Sequence, residues 1–134
     1  MDPKTAQPQH LCAAAELAER GAGRVFELRL WGQPARGFAL RVEGRPVAYV
    51  NRCAHVPAEL DWQPGEFLDE QRRWIICSVH GAVYEPSDGQ CVAGPCVGKR
   101  LMAVTVDERD GQVYWYPSRD IQPVDVPGTA SSPP

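Results

Sequence analysis

The amino-acid sequence predicts an all-β fold, an antiparallel sandwich or small barrel, from three observations. About seven short segments show the alternating or β-branched patterns of strands. The chain holds 12 glycines and 13 prolines, well above average usage, which indicates many turns. Asp110-Gly111 is the strongest hairpin signature, and Glu43-Gly44-Arg45-Pro46 is a second. A chain of 134 residues fits one domain.

The N-terminal segment, residues 1–23, is predicted to be polar and to contain one short helix. Residues 1–9 are polar and interrupted by prolines, which favours disorder. The following stretch, 10–20, is rich in Ala, Leu and Glu and is followed by Gly21 and Gly23, the pattern of a helix with a glycine stop. Such a helix has about three turns at most and is marginal unless its apolar side packs on the domain.

The strands are predicted between residues 24 and 116. Arg24–Leu30 alternates with period two, which places Phe26, Leu28 and Leu30 on one face. Further strands are predicted at 38–42, 47–51, 74–77, 82–84, 101–106 and 113–116. The C-terminal segment, 117–134, is rich in Pro and Ser and is predicted to be a disordered extension.

Composition excludes several classes of function. The net charge of −3 is too small and too mixed to indicate binding to nucleic acid or to a membrane surface. No stretch approaches the roughly 20 apolar residues that a membrane span needs. The polar N-terminus has no secretory pattern, so we expect a cytoplasmic protein. In a reducing compartment, the five cysteines are expected to serve as ligands or free thiols rather than as disulfides.

Two short motifs carry the chemistry. Cys53 and His55 form a Cys-x-His pair after one predicted strand, and Cys77 and His80 form a Cys-x-x-His pair after the next. These spacings let both side chains of a pair point at one metal centre from a single turn. Gly81 gives the second turn the freedom to bend. Two of the chain's three histidines therefore lie beside a cysteine, and we predict that all four side chains bind one centre.

Two thiolates and two imidazoles suit either tetrahedral zinc or a [2Fe–2S] cluster with mixed ligands. Zinc modules usually pair cysteine with cysteine on one turn and histidine with histidine on the other. Here each turn supplies one of each, as a mixed-ligand cluster requires if each loop is to reach both irons. The order of ligands therefore favours the iron–sulfur cluster, and a structural zinc module is the alternative.

The two motifs together resemble the Rieske family. Its pattern is C-x-H, a spacer, C-x-x-H-G and a later Gly-Pro loop. This chain has CAH at 53–55, a spacer of 21 residues, CSVHG at 77–81 and Gly94-Pro95. The resemblance covers roughly residues 24–116.

The resemblance implies the Rieske fold, a base of antiparallel sheets with a smaller cluster-binding part. Two loops would bind a [2Fe–2S] cluster, with Cys53 and Cys77 on one iron and the histidines 55 and 80 on the other. Gly94-Pro95 would form a third loop that covers the cluster.

Departures from the family's respiratory members bear on the reduction potential. Those members have two further cysteines that form a disulfide, where this chain has Ala58 and Val79. They also have a serine that bonds a bridging sulfide, where this chain has Ala82. Tyr84 stands where they use a tyrosine to bond a ligand sulfur, which raises the potential. We expect a potential towards the low end of the Rieske range, about −150 to 0 mV.

The remaining cysteines have two interpretations. Cys12 is expected to be a small packing residue. Cys91 and Cys96 flank the Gly-Pro loop and either pack as small apolar residues or form a thiol pair near the cluster.

These features predict an electron carrier rather than an enzyme. The resemblance implies a ferredoxin-like protein that carries single electrons from a flavin reductase to a terminal oxygenase or similar acceptor. An oxygenase subunit would need a second iron site with two further histidines, and only His10 is left. The alternative is a redox-sensing or accessory subunit with the same cluster.

Overall fold

A computed structural model of the chain describes residues 7–54, 58–77 and 81–124. The strands are β1 Gln9–Ala13, β2 Arg24–Leu30, β3 Gln33–Val42, β4 Arg45–Val50, β5 Ile75–Ile76, β6 Val83–Tyr84, β7 Cys91–Ala93, β8 Thr105–Arg109, β9 Gln112–Tyr116 and β10 Ile121–Gln122. They form three antiparallel sheets, with strand orders β1-β9-β8, β10-β2-β3-β4 and β5-β6-β7. The prediction of an antiparallel all-β fold is confirmed.

The largest sheet is built from two successive tight hairpins. β2 has the bounds that its alternation predicts, and its Leu28 and Leu30 are buried. Trp31-Gly32 joins it to β3 with φ values of 52° and 79°, and Glu43-Gly44 joins β3 to β4 with φ values of 54° and 79°. Positive φ at both central residues is typical of the type I′ turns that match the twist of a hairpin.

The predicted Asp110-Gly111 hairpin is also present. Its two residues have φ values of 52° and 78°, and they join β8 to β9. Backbone hydrogen bonds from Val50 to Met102 and from Val104 to Ala48 attach this hairpin to the end of β4. The β1-β9-β8 sheet and the largest sheet are therefore joined at the end of β4, just before the first cysteine motif.

The prediction of a short N-terminal helix is wrong. Residues Gln9–Ala13 form β1, which pairs with β9, and only a 3-10 turn at Ala14–Glu16 follows. A bulge in the pairing turns both Leu11 and Cys12 inward. Alanine propensity is a weak preference, whereas the open edge of β9 satisfies the backbone of this segment along its length. No helical segment among the described residues has the length and hydropathy that a bilayer crossing requires.

The predicted disordered extension from residue 117 is also corrected in part. Ile121–Gln122 form β10, which pairs with β2 opposite Arg29 and Leu30, and the Ile121 side chain is buried. The isoleucine buries apolar surface against a sheet edge, which local Pro/Ser composition does not register. The rest of the predicted extension, residues 125–134, and most of the predicted disordered start, residues 1–6, lie outside the described residues.

One hydrophobic core cluster joins the largest sheet to the small β5-β6-β7 sheet. Phe38 of β3 stacks on Phe67 with ring centroids 3.8 Å apart and planes within 9°. An added Cβ at Gly23 would lie 2.6 Å from the Phe67 ring, so this glycine leaves the space that the ring fills. The same cluster contains Cys53, Cys77 and Tyr84, so the core positions the site directly.

Replacing Phe67 by alanine should destabilise the protein by about 3–5 kcal/mol, because a fully buried ring would leave a cavity between Phe38 and Gly23. Urea denaturation followed by circular dichroism measures the change. Val97→Ala is the control, since Val97 is 64% exposed and its loss should cost within about 0.5 kcal/mol. Equal losses from the two variants would contradict this account of the core.

Candidate metal centre

The first cysteine loop leaves the end of β4 and is held at both ends. The Cys53 amide donates a hydrogen bond to the Ala58 carbonyl at 2.8 Å. The buried Asn51 side chain accepts a hydrogen bond from the Leu60 amide at 2.7 Å and donates one to the Asp61 carboxylate at 3.1 Å. Sequence reasoning missed Asn51, although a polar residue at the end of an apolar strand is a signal of this kind of bracing.

The second cysteine loop has the same closure. The Cys77 amide donates to the Ala82 carbonyl at 2.8 Å, and the Gly81 amide donates to the Cys77 carbonyl at 3.0 Å. Gly81 has a φ of +73°, a conformation that favours glycine. In both loops the cysteine amide therefore bonds the carbonyl five residues later, so the two cysteines start loops of matching size.

The structure brings the two cysteines into one core and describes the loops only in part. Cys53 is 2% exposed and Cys77 is 1% exposed, and both belong to the cluster that also holds the fully buried Ala82. The two histidines predicted as ligands, His55 and His80, lie outside the described residues, as does Val79. The structure therefore places the cysteine half of the predicted ligand set.

The Tyr84 hydroxyl lies at the centre of a hydrogen-bond network around Cys53. The Ala54 amide donates to this hydroxyl at 2.9 Å. The Tyr84 oxygen lies 3.3 Å from the Cys53 sulfur and 3.3 Å from the Cys96 sulfur. Burial, together with hydrogen bonds to Cys53 and Cys96, raises the pKa of Tyr84 far above its usual range. The hydroxyl therefore keeps its proton and can donate it to the Cys53 sulfur.

The loop that contains Gly94 and Pro95 lies against the second cysteine loop. An added Cβ at Gly94 would lie 2.8 Å from the Ala82 Cα and 2.9 Å from the Gly81 carbonyl oxygen, and Gly94 has a φ of +93°. Only glycine permits both this conformation and this close approach. The loop at Gly94-Pro95 therefore packs closely against residues 81 and 82 at the end of the second cysteine loop.

Cys91 and Cys96 approach each other closely beside this loop. Their sulfurs lie 2.7 Å apart, and both residues are buried. Burial, followed by the hydrogen bond to Cys91, raises the pKa of the Cys96 thiol to about 11. Cys96 thus keeps its proton at neutral pH, and both the Cys91 sulfur and the Tyr84 oxygen, 3.3 Å away, are within reach of that proton. The sequence offered the Cys91–Cys96 pair as one alternative but did not predict the contact between Cys96 and Tyr84, because Tyr84 lies in β6 and Cys96 lies in the segment after β7.

The Rieske [2Fe-2S] domain model matches residues 7–119, which is most of the chain. The chain belongs to the Rieske family. Domains of this family bind a [2Fe–2S] cluster, so the predicted family and the predicted cofactor are confirmed. The match begins before residue 24, in agreement with the pairing of β1 in the same fold.

Solved structures share this Rieske fold. The ferredoxin of carbazole 1,9a-dioxygenase from Nocardioides aromaticivorans IC177 has a TM-score of 0.65 and 21% identity, over 84% of this chain and 100% of the ferredoxin. The terminal oxygenase of carbazole 1,9a-dioxygenase from the same organism has a TM-score of 0.65 and 20% identity, over 95% of this chain and 35% of the oxygenase. At these identities the likeness shows the fold alone. No curated protein matches the chain at a significant level.

The described residues fit a Rieske cluster. Two buried cysteines begin loops of matching closure, and the sequence places one histidine on each loop. A buried thiolate needs a partner to offset its charge, and the Tyr84 hydroxyl supplies a hydrogen bond to one of the two sulfurs. The donor set and its surroundings therefore suit a cluster with two thiolate and two imidazole ligands.

Tyr84→Phe should lower the reduction potential, because the variant keeps the ring and loses the hydroxyl that faces the Cys53 sulfur. About 1.4 kcal/mol corresponds to about 59 mV for a one-electron couple, so a hydrogen bond that differs by about that energy between redox states gives a fall on the order of 50 mV. Protein-film voltammetry measures this shift.

Tyr49→Phe is the matched control for this measurement. The buried Tyr49 hydroxyl donates to the Pro86 carbonyl at 2.7 Å instead of to a cysteine. This variant should lose stability, by about 1 kcal/mol for the lost hydrogen bond, and keep its potential. Equal shifts in the two tyrosine variants would show that the effect is not specific to the sulfur contact.

Proposed function

We propose that this protein is a Rieske-type ferredoxin-like electron carrier. It passes single electrons from a flavin reductase to a terminal oxygenase or similar acceptor and catalyses no reaction alone. The observation that carries the proposal is the matching closure of two cysteine loops, from Cys53 to Ala58 and from Cys77 to Ala82, in one buried core. This arrangement suits a redox centre held rigidly by the chain.

The proposed ligands are Cys53 and Cys77 for one iron and His55 and His80 for the other. When bound, the cluster supplies a one-electron redox couple. The chain's own residues set its surroundings: Tyr84 donates towards a ligand sulfur, and the Gly94-Pro95 loop lies over the second ligand loop.

We propose that the reduction potential lies towards the low end of the Rieske range, about −150 to 0 mV. Ala82, which is fully buried, has no hydroxyl to donate to a bridging sulfide. Tyr84 acts in the opposite direction and keeps the potential from falling further. A carrier in this range can reduce acceptors of higher potential, as electron delivery to an oxygenase requires.

The similar structures support the carrier role over a catalytic one. The ferredoxin of the carbazole system is matched over its whole length. A complex of reduced oxygenase and oxidised ferredoxin in carbazole 1,9a-dioxygenase is also similar, with a TM-score of 0.60 and 22% identity over 81% of this chain and 92% of the matched chain. By analogy, we propose that the acceptor is an oxygenase to which this protein docks. We also propose that this protein and its acceptor are located in the cytoplasm.

The short distance between the Cys91 and Cys96 sulfurs favours a second candidate, a redox-sensing or accessory subunit with the same cluster. Stopped-flow mixing with an NADH-dependent flavoprotein reductase separates the two roles. A carrier exchanges electrons quickly and reversibly, whereas a sensor changes its binding to a partner when its cluster or thiols are oxidised.

Electron paramagnetic resonance of the reduced protein tests the ligand set. We expect a rhombic signal with an average g value below that of all-cysteine clusters. His80→Cys should shift the signal towards the all-cysteine form or abolish it, because it replaces a proposed imidazole ligand. His10→Gln is the control, since His10 lies in β1 and contacts Gln112, and it should leave the signal unchanged.

Iron and sulfide content provides the matching test for the cysteines. Cys53→Ser and Cys77→Ser should each lose the iron–sulfur cluster. Cys12→Ala should keep it, because Cys12 belongs to the other group of buried hydrophobic residues. Zinc in place of iron, with no visible absorption after anaerobic reconstitution with iron and sulfide, would contradict the proposed function.

A further inference from the structure

We propose that Cys91 and Cys96 form a reversible disulfide and that this oxidation lowers the reduction potential of the cluster through the Tyr84 hydroxyl. The effect on potential rests on the proposed function, in which Cys53 is a cluster ligand. The disulfide itself does not. Neither cysteine is a proposed ligand. Cys91 lies in β7, and Cys96 lies in residues 94–99, which follow β7 and are here called the covering segment.

The geometry of the pair suits disulfide formation. The sulfurs are 2.7 Å apart, closer than two sulfur atoms that share no covalent bond normally approach. Hydrogen bonds from the Cys91 amide to the Lys99 carbonyl and from the Lys99 amide to the Cys96 carbonyl hold the two ends of the segment together. Both thiols are buried, but their neighbours Val92 and Val97 are exposed, so the pair lies directly beneath the surface.

The route from this pair to the cluster runs through one hydroxyl. The Cys91 thiol donates to the Ala93 carbonyl at 3.2 Å. The single proton of the Cys96 thiol has two acceptors within reach, the Cys91 sulfur at 2.7 Å and the Tyr84 oxygen at 3.3 Å. Because a thiol sulfur is a weak acceptor and a hydroxyl oxygen a stronger one, we assign this proton to Tyr84. A hydroxyl has two acceptor sites and one donor. With Ala54 and Cys96 donating to it, Tyr84 directs its own proton to the Cys53 sulfur.

Oxidation changes this network in one direction. A disulfide has no S–H group, so Cys96 no longer donates to Tyr84. Hydrogen bonds in a chain polarise one another, and the loss of one donor weakens the bond that the hydroxyl makes to Cys53. A weaker hydrogen bond to a ligand sulfur stabilises the reduced cluster less. The potential is therefore higher in the dithiol form and lower in the disulfide form.

The oxidant that we propose is a small disulfide such as oxidised glutathione. One protein thiolate attacks the glutathione disulfide, forms a mixed disulfide and releases one glutathione thiolate. The second cysteine attacks the mixed disulfide, forms the Cys91–Cys96 bond and releases the second glutathione. The protein pair loses two electrons and two protons, and oxidised glutathione gains both.

The first measurement detects the disulfide itself. The loaded protein is equilibrated without oxygen in buffers of different reduced-to-oxidised glutathione ratio, alkylated with N-ethylmaleimide and analysed by mass spectrometry after proteolysis. Under oxidising buffer we expect the peptide that contains Cys91 and Cys96 to lose two hydrogens and to escape alkylation. Cys12, buried in the other core cluster, should remain a thiol and serves as the internal control.

The second measurement follows the reduction potential by protein-film voltammetry in the same buffers. The wild-type potential should fall as the disulfide forms. In the buffers where mass spectrometry finds no glutathione on Cys96, Cys91→Ala should keep the higher potential, because Cys96 still donates to Tyr84 but has no partner for an internal disulfide. Cys96→Ala should have the lower potential in every buffer, because the donor is absent. Cys12→Ala should behave as the wild type.

The outcomes separate the two halves of the proposal. Full alkylation of Cys91 and Cys96 under oxidising buffer would overturn the disulfide, whether or not the protein carries a cluster. A disulfide that leaves the potential unchanged, or a Cys96→Ala variant with the wild-type potential, would overturn the coupling through Tyr84. Failure of the proposed ligand set would instead appear as a normal cluster in Cys53→Ser.

Discussion

The Tyr84 hydroxyl joins three segments that are distant in the sequence, and the arrangement of the centre depends on it. It accepts a hydrogen bond from Ala54 in the first loop, faces the Cys53 sulfur and contacts Cys96 beyond the Gly-Pro loop. Tyr84 itself is fully buried in β6, which follows the second loop. A buried polar group without partners costs about 1–3 kcal/mol. Moving any of these segments away would cost the Tyr84 hydroxyl a partner, so this one hydroxyl helps to hold all of them in place.

The scaffold makes this meeting point possible. The first loop extends from the largest sheet and the second from the smallest sheet, and one core cluster fills the space between the two sheets. Phe38 and Phe67 stack in that core, and Gly23 leaves the space for their contact. Each loop is closed by a backbone hydrogen bond from the cysteine amide to the carbonyl five residues later. The rigid interior thus fixes the sulfurs, and the covering segment is the part that can respond to oxidants.

The sequence predicted the elements whose signals are local. Alternation predicted β2, Asp110-Gly111 predicted the last hairpin, and the motif spacing predicted the family and its cofactor. It failed at both ends, where tertiary pairing overrode composition: β1 replaced an alanine-rich helix and β10 formed in a Pro/Ser-rich segment. The contact between Cys96 and Tyr84 was also beyond prediction, because it depends on how a loop folds back on a strand.

The central claim is that two histidines, one on each loop, complete the cluster that Cys53 and Cys77 begin. Pulsed electron paramagnetic resonance of the reduced protein, labelled with ¹⁵N-histidine, tests this claim most directly. The account predicts two distinct, strong ¹⁵N couplings, of which His80→Cys removes one and His10→Gln removes neither. A reduced cluster that shows no strong ¹⁵N coupling would contradict it.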